Sequence, residues 1–411
     1  MTRTWLLGLA ASCIVGCGSS SDAAPAAGSG EQDTGADASP ADALVDTGAE
    51  ATTTDAPRDA LANDADTRPA VDTGAGPDAA TDAASDAGDA GDPLAPLLGC
   101  LGTEQTLTVS SQMPYANVPV GAGSGEFLVD FATTFSSIDL AAFPAPGPTT
   151  HGCDPTKLYQ TCTVDGFAFF SPPGPVQLVT ESFAGFGGSV RQAGIVGTDF
   201  TSLKIMTVAY ASHRLFGSDK TGFCADTALV AAGFAALPTD GYFSDRYSAL
   251  LPMTAVDSSA GSGHVPDVPT VPVRIGGASA IAQLDTGFDD ALVHFSINVN
   301  GAFYSAIVAA DPGALVRDSA HDLTLSTCTG ASESVQAYKL ASGRAFELVD
   351  GAGAAVRKTP DATVFVKTSS PKACGGIGTW TVPAAQVAAS FFVDLGTMVF
   401  DPYSSRVWVP R

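Results

Sequence analysis

The sequence predicts an all-β fold of two homologous lobes with a cleft between them, and two duplicated blocks and the composition carry that prediction. The first block occupies residues 117–140 (NVPVGAGSGEFLVDFATTFSSIDL) and returns at 270–293 (TVPVRIGGASAIAQLDTGFDDALV). Each copy opens on Val-Pro-Val, at 118–120 and 271–273, and passes a Gly/Ser/Ala turn. Each then drives a short apolar strand into an acid, Asp130 or Asp285. The second block lays residues 195–216 over 387–408 without a gap. Phe200, Leu203, Met206, Ser212 and Arg214 there face identical residues at Phe392, Leu395, Met398, Ser404 and Arg406. Two blocks repeated in one order mean two related units, each contributing one carboxylate. With 44 Gly, 27 Pro and many short Val/Ile/Phe/Thr runs, the rest reads as strands joined by turns.

Two acids delivered by equivalent strands can act as one device. Carboxylates a few ångströms apart do not both ionise easily, so the pair holds one proton between them. The ionised member can take a proton from water while the neutral one gives a proton to a peptide carbonyl. That chemistry needs no covalent intermediate, cofactor or metal.

The residues now on the page resemble the bilobal, pepsin-like aspartic proteases, with a retropepsin-like Val-Pro-Val lead-in. The family's Asp-Thr-Gly signature stands in lobe two as Asp285, Thr286 and Gly287 after the apolar Leu284. Its hydrophobic-hydrophobic-glycine element stands in lobe one as Ile195, Val196 and Gly197. The closing FFVDLGTMVFDPYSSRVWVPR is similar to the family's C-terminal strand pair. The resemblance covers residues 99–411 and implies lobes at 99–260 and 261–411, an Asp130/Asp285 dyad, and a peptide substrate. Thr286, Gly287 and Thr133 are implied to support the acids.

The departures from the family pattern sit beside the acids. Lobe one has Asp130-Phe131-Ala132 where the family has Asp-Thr-Gly, so it lacks the threonine that hydrogen bonds across the lobes, and Ala132 adds a Cβ at the tight turn. Lobe two has Phe288 where a Ser or Thr follows the signature, and Ala388-Ala389-Ser390 in place of the glycine element. Thr133 and Thr134 fall where lobe one of the family carries its Ser/Thr pair. Phe131→Thr with Ala132→Gly is therefore expected to raise activity, provided Phe131 has no packing role of its own. Of the three other Asp-Thr-Gly triplets, at 33–35, 46–48 and 72–74, none follows an apolar strand, and all lie in low-complexity sequence.

The flap that covers the cleft in the family is expected at residues 166–180, GFAFFSPPGPVQLVT, with Phe169 or Phe170 in place of a tyrosine. A structural hairpin fits the same residues equally well. Six cysteines follow the N-terminal segment, and sequence alone allows fifteen pairings. Cys153–Cys162 is expected as a short loop and Cys100–Cys224 as a tie from the start of lobe one to its end. Cys328–Cys374 is expected inside lobe two, as in pepsin-like relatives.

Residues 1–17 read as a bacterial lipoprotein signal in which Cys17 receives the lipid, the alternative being an ordinary secretory signal cleaved nearby. Gly18 after it points to the outer membrane in a Gram-negative host, or more broadly to the cell surface. Residues 18–98 form an Ala/Asp-rich linker too poor in apolar side chains to build a core. Residues 18–99 hold 17 acids against 2 Arg, so much of the net charge of -24 belongs to the tether. An acidic chain without a basic patch is not a nucleic-acid binder, and its membrane attachment is expected through the lipid alone, as a monomer. The sequence contains no Gly-x-Ser-x-Gly elbow, His-Glu-x-x-His helix or phosphate loop, and its five histidines are scattered. The expectation is an extracytoplasmic aspartic endopeptidase. The alternatives left open are a catalytically degenerate peptide- or protein-binding module of the same fold and a structural envelope protein.

Overall fold

The computed structural model describes residues 94–185, 188–239, 242, 268–287, 295–326, 332–367 and 382–411. Residues 1–93 lie outside these, as do Phe288, Cys328 and Cys374, so the lipid-anchor and lobe-two disulfide expectations and most of the linker fall outside the described residues. The end of the expected linker is corrected: residues 94–98 belong to a 3-10 turn (Ala95–Leu97 with its caps), and Leu94 and Leu97 are buried in a hydrophobic cluster with Phe216 and Trp408. The chain is mostly β, in two curled sheets.

Among the described residues eleven strands precede residue 240: β1 (Thr103–Ser110), β2 (Met113–Val120), β3 (Gly123–Val129), β4 (Ser137–Ile138), β5 (Thr150–His151), β6 (Thr161–Phe167), β7 (Gly174–Thr180), β8 (Gln192–Val196), β9 (Ile205–Ala209), β10 (Arg214–Ser218) and β11 (Phe234–Pro238). A further set follows: β12 (Thr270–Ile275), β13 (Ala278–Leu284), β14 (Ser296–Asn300), β15 (Leu315–Arg317), β16 (Leu323–Ser326), β17 (Ser332–Leu340), β18 (Phe346–Val349), β19 (Ala355–Thr359), β20 (Thr363–Lys367), β21 (Ala384–Val387), β22 (Thr397–Asp401) and β23 (Arg406–Pro410). The α-helices among the described residues are short: α1 (Thr198–Thr201), α2 (Asp226–Ala231), α3 (Gly301–Ala310) and α4 (Ala389–Leu395), of which α1 and α4 matter most here.

The two halves share a strand order. Lobe one runs β2-β3-β8-β4-β7-β6 and lobe two β12-β13-β21-β14-β20-β17. The directions agree as well. β3 is parallel to β8, and β8 antiparallel to β4, which is parallel to β7; β13, β21, β14 and β20 repeat that series. The acid-bearing strand of each lobe is thus a central strand with apolar residues on the core face, which fixes where its last residue emerges.

The sequence repeats are not in structural register throughout. Each acid follows a hairpin whose two-residue turn, 121–122 or 276–277, lies at the same spacing before it. Val118–Val120 of lobe one therefore runs up to the turn, whereas the Val-Pro-Val of lobe two lies two residues farther from it. A shift of two keeps the same residues facing the core, so the pattern survives while the register moves. The second repeat likewise gains one residue in lobe two. Asp130 N–H bonds Val196 O and Asp285 N–H bonds Val387 O, making Ala388 the counterpart of Gly197, and the longer α4 absorbs the extra residue.

A shared antiparallel sheet joins the halves in the order β11-β23-β22-β9-β10-β1, with β9 beside β22. The repeated arginines brace it. Arg214 pairs with Glu104 at 2.6 Å and lies over Phe216, and Arg406 pairs with Asp226 at 2.6 Å and lies over Trp408. Disulfides join Cys100 to Cys224 and Cys153 to Cys162, as expected from the sequence. They suit a protein that folds outside the cytoplasm. Among the described residues no helix is long and apolar enough to cross a membrane.

Candidate active site

Asp130 and Asp285 leave the ends of β3 and β13 and are fully buried. One peptide group touches both. The Gly287 N–H donates to Asp285 Oδ1 at 2.9 Å and also reaches the Asp130 carboxyl. A Cβ on Gly287 would stand 2.6 Å from Asp130 Oδ2 and 2.8 Å from its Cγ. Glycine is required here by the closeness of the opposite acid and not by an unusual backbone angle.

The supporting residues differ between the lobes. Around Asp130, the Ala132 N–H donates to Oδ1 at 2.8 Å and the Thr133 hydroxyl to Oδ2 at 2.5 Å. The turn expected to need glycine thus closes with alanine, whose methyl packs against Val268 and Ala384. Around Asp285, Gly287 serves Oδ1 while the Gln386 side-chain amide donates to Oδ2. Gln386 Oε1 accepts in turn from Asn298 Nδ2 at 3.0 Å, and both side chains are buried.

The cross-lobe hydrogen bond survives in one direction. Thr286 Oγ1 donates to Val129 O at 2.7 Å and accepts from the Phe131 N–H at 3.2 Å. Phe131 returns no such bond. Its ring is buried, stacked on Phe400 at 3.6 Å with an interplanar angle of 9° and set edge-on to Tyr242. Because Phe400 lies on β22, an aromatic stack fastens the acid loop of lobe one to the shared sheet where a hydroxyl would otherwise act. Phe131 therefore has a packing role of its own, so Phe131→Thr removes a core contact and does not restore activity as the sequence pattern alone predicts.

Burial raises both carboxyl pKa values, because no low-dielectric setting favours two charges. The hydrogen bonds from Thr133 and Ala132 oppose the rise at Asp130. The Asp130 charge adds to it at Asp285, opposed by Gly287, Gln386 and the Lys367 charge. A pair in this state keeps one proton into the neutral range and offers an acceptor and a donor side by side.

Strand alternation places a row of side chains on the face that carries each acid. In lobe one the row is Leu128, Ile195, Ser137 and Val179, with Glu181 two residues farther on. In lobe two the corresponding row is Gln283, Gln386, Asn298 and Phe365, followed by Lys367. One acid thus sits beside apolar groups and the other beside amides. Gln386 and Asn298 were missed from the sequence. The available signal was a single polar residue in the buried run Pro-Ala-Ala-Gln-Val-Ala-Ala, which lies on the acid's face only once β21 is known to run parallel to β13.

Phe169 and Phe170 belong to the turn between β6 and β7. Phe169 is buried in the lobe-one core, and the Phe170 ring lies against Gly217 of β10, where a Cβ would stand 2.6 Å away. Both rings are thus packing groups of that turn. The neighbouring β5–β6 hairpin, closed by Cys153–Cys162, instead exposes Leu158 by 50% and Tyr159 by 72%. Its tip is tied to the end of β7 by Tyr159 N–H to Thr180 O at 2.6 Å.

Two further acids, the buried Glu181 and the partly buried Asp199, set a stability trend. Burial raises Glu181 to about 7 and Asp199 to about 6, the latter despite its bonds to Ser136. A folded-state pKa above the unfolded one gives stability that is present at low pH and lost as pH rises through the folded value. The thermal midpoint is expected to fall between pH 5 and pH 8, and Glu181→Gln to remove about 3 kcal/mol of that fall. A midpoint that climbs steadily over the same range would contradict these assignments. No protein-family model matches the chain, and no curated protein matches it, so the reading of the site rests on its own geometry.

Proposed function

We propose that the chain is an aspartic endopeptidase of pepsin-like, bilobal build, acting on polypeptides outside the cytoplasm with Asp130 and Asp285 as its acid pair. The observation that carries this reading is the Gly287 peptide lying against both carboxyls, each at the end of an equivalent strand. One acid takes a proton from water as the water oxygen bonds to the carbonyl carbon. The other gives its proton to the carbonyl oxygen to form a diol; the first acid then passes its proton to the leaving nitrogen while a diol hydroxyl returns one to the second, and the C–N bond breaks to give an amine and a carboxylic acid. Thr286 ties the acid loops together, and the β5–β6 hairpin, with Leu158 and Tyr159 at its tip, is the candidate cover for a bound peptide. Attachment through a lipidated Cys17 and the acidic tether belongs to the same proposal and rests on the sequence of those residues.

Incubation with an unfolded protein at pH 3 to 7, read by mass spectrometry, tests the activity. Internal cleavage with an acid optimum supports it, because activity falls as the shared proton is lost at higher pH. The complete burial of both acids favours a second reading, a binding module of the same fold that does not cleave. Absence of fragments across that pH range would select it.

A further inference from the structure

We infer that Gln386, oriented by Asn298, is the positioning residue that holds the Asp285 carboxyl, in place of a hydroxyl on the acid's own loop. The inference rests on the reading of Asp130 and Asp285 as an acid pair. Both acids accept at Oδ1 from the backbone N–H two residues on, that of Ala132 or Gly287. Their Oδ2 atoms are served differently. Asp130 Oδ2 accepts from the Thr133 hydroxyl, three residues on in the same loop, whereas Asp285 Oδ2 accepts from the Gln386 amide, which belongs to β21.

The two lobes have exchanged this donor between equivalent places. The residue three after the acid is Thr133 in lobe one and Phe288 in lobe two, and a phenylalanine side chain has no donor. Register fixes the second place. The Asp130 N–H bonds Val196 O and the Asp285 N–H bonds Val387 O, so Ile195 and Gln386 stand at the same point beside the acid-bearing strands. Ile195 cannot donate and Gln386 can. The donor to Oδ2 thus lies on the loop in lobe one and on the neighbouring strand in lobe two. Asn298 faces Gln386 directly across β14 and β21, and its Nδ2 donates to Gln386 Oε1 at 3.0 Å, which leaves the Gln386 NH₂ group turned toward Asp285. Both amides are buried, so water competes little for either. Asp285 is thereby fixed to the lobe-two sheet, and Asp130 to its own loop.

Gln386→Leu is expected to lower kcat by at least about tenfold and to leave KM nearly unchanged, because a carboxyl free to turn is less often aimed at the bound water. A merely structural residue would leave the pH profile where it is. Here the alkaline limb should move to higher pH, since the doubly ionised pair loses a donor and forms less easily. Lys367 and Tyr210, the other titratable groups that act on the pair, are the same in the variant, so the shift reports the lost donor. Carboxyl ¹³C NMR of aspartate-labelled protein reads this upper ionisation without turnover. Should the unpaired Asn298 amide prevent Gln386→Leu from folding, Asn298→Leu with Gln386→Leu removes both ends of the bond and should show the same shift. Phe288→Thr, added to the folded variant, supplies a hydroxyl at the place of Thr133 and is expected to recover part of the lost kcat and move the upper ionisation back down. An upper ionisation unmoved by the loss of Gln386 would overturn the inference, as would a shift that Phe288→Thr does not reverse at all. A protein that cleaves while that ionisation stays put would keep the activity and lose the inference. One that cleaves nothing while the ionisation moves and is restored would do the reverse.

Discussion

Asp285→Asn and Asp130→Asn are each expected to lower the rate of acid-pH cleavage of an unfolded protein by at least about 10³-fold, the scale on which removing one member of a cooperating catalytic group acts. An asparagine can donate or accept a hydrogen bond but cannot exchange a proton with water, so either variant leaves a single carboxyl. The surroundings change little, since the Gly287 and Ala132 N–H groups still find an amide oxygen. Both variants should therefore fold, and circular dichroism with a thermal melt checks this beside the assay. Cleavage at the unmodified rate by either one would remove that carboxyl from the mechanism.

Phe131→Thr is expected to cost about 3–5 kcal/mol of stability, as for other large-to-small changes in a packed core. The ring is fully buried against Phe400 and Tyr242, so truncation opens a cavity and places a hydroxyl among aromatic groups. The stack also joins the lobe-one acid loop to the shared sheet, so its loss should loosen Asp130 and lower activity. Urea unfolding measures the first effect and the cleavage assay the second. A variant as stable as the original and more active would mean that the new hydroxyl reaches lobe two and that the stack contributes little.

Much of the site was legible in the sequence because it is local. An apolar strand ending in an acid, followed by Thr286-Gly287 or Thr133, places donors within three residues of each carboxyl, and these hydrogen bonds form. The two disulfides among the described residues were legible for a similar reason, since one closes a short loop and the other joins the ends of one lobe. What escaped depends on residues brought together from afar. Gln386 reaches Asp285 only because β21 runs parallel to β13, and Phe131 finds Phe400 only because β22 returns to pair with β9. The turn of residues 168–173 looked like a cover for a cleft because its prolines and aromatic residues fit any stiff hairpin. The ring of Phe170 packs on Gly217, a neighbour that no local pattern announces. The Val-Pro-Val identity misled in register alone, since a two-residue slip preserves the inward and outward pattern that made it recognisable.

The central claim is that both carboxyls converge on a single bound oxygen. A peptide carrying a secondary hydroxyl in place of the scissile carbonyl imitates the tetrahedral intermediate and should bind much more tightly than the parent peptide. Calorimetry at acid pH should show that tight binding, and a loss of at least about 100-fold in affinity in both Asp130→Asn and Asp285→Asn. Equal affinity of the unmodified protein and either variant would mean that the two acids do not share a ligand atom, and would contradict the account.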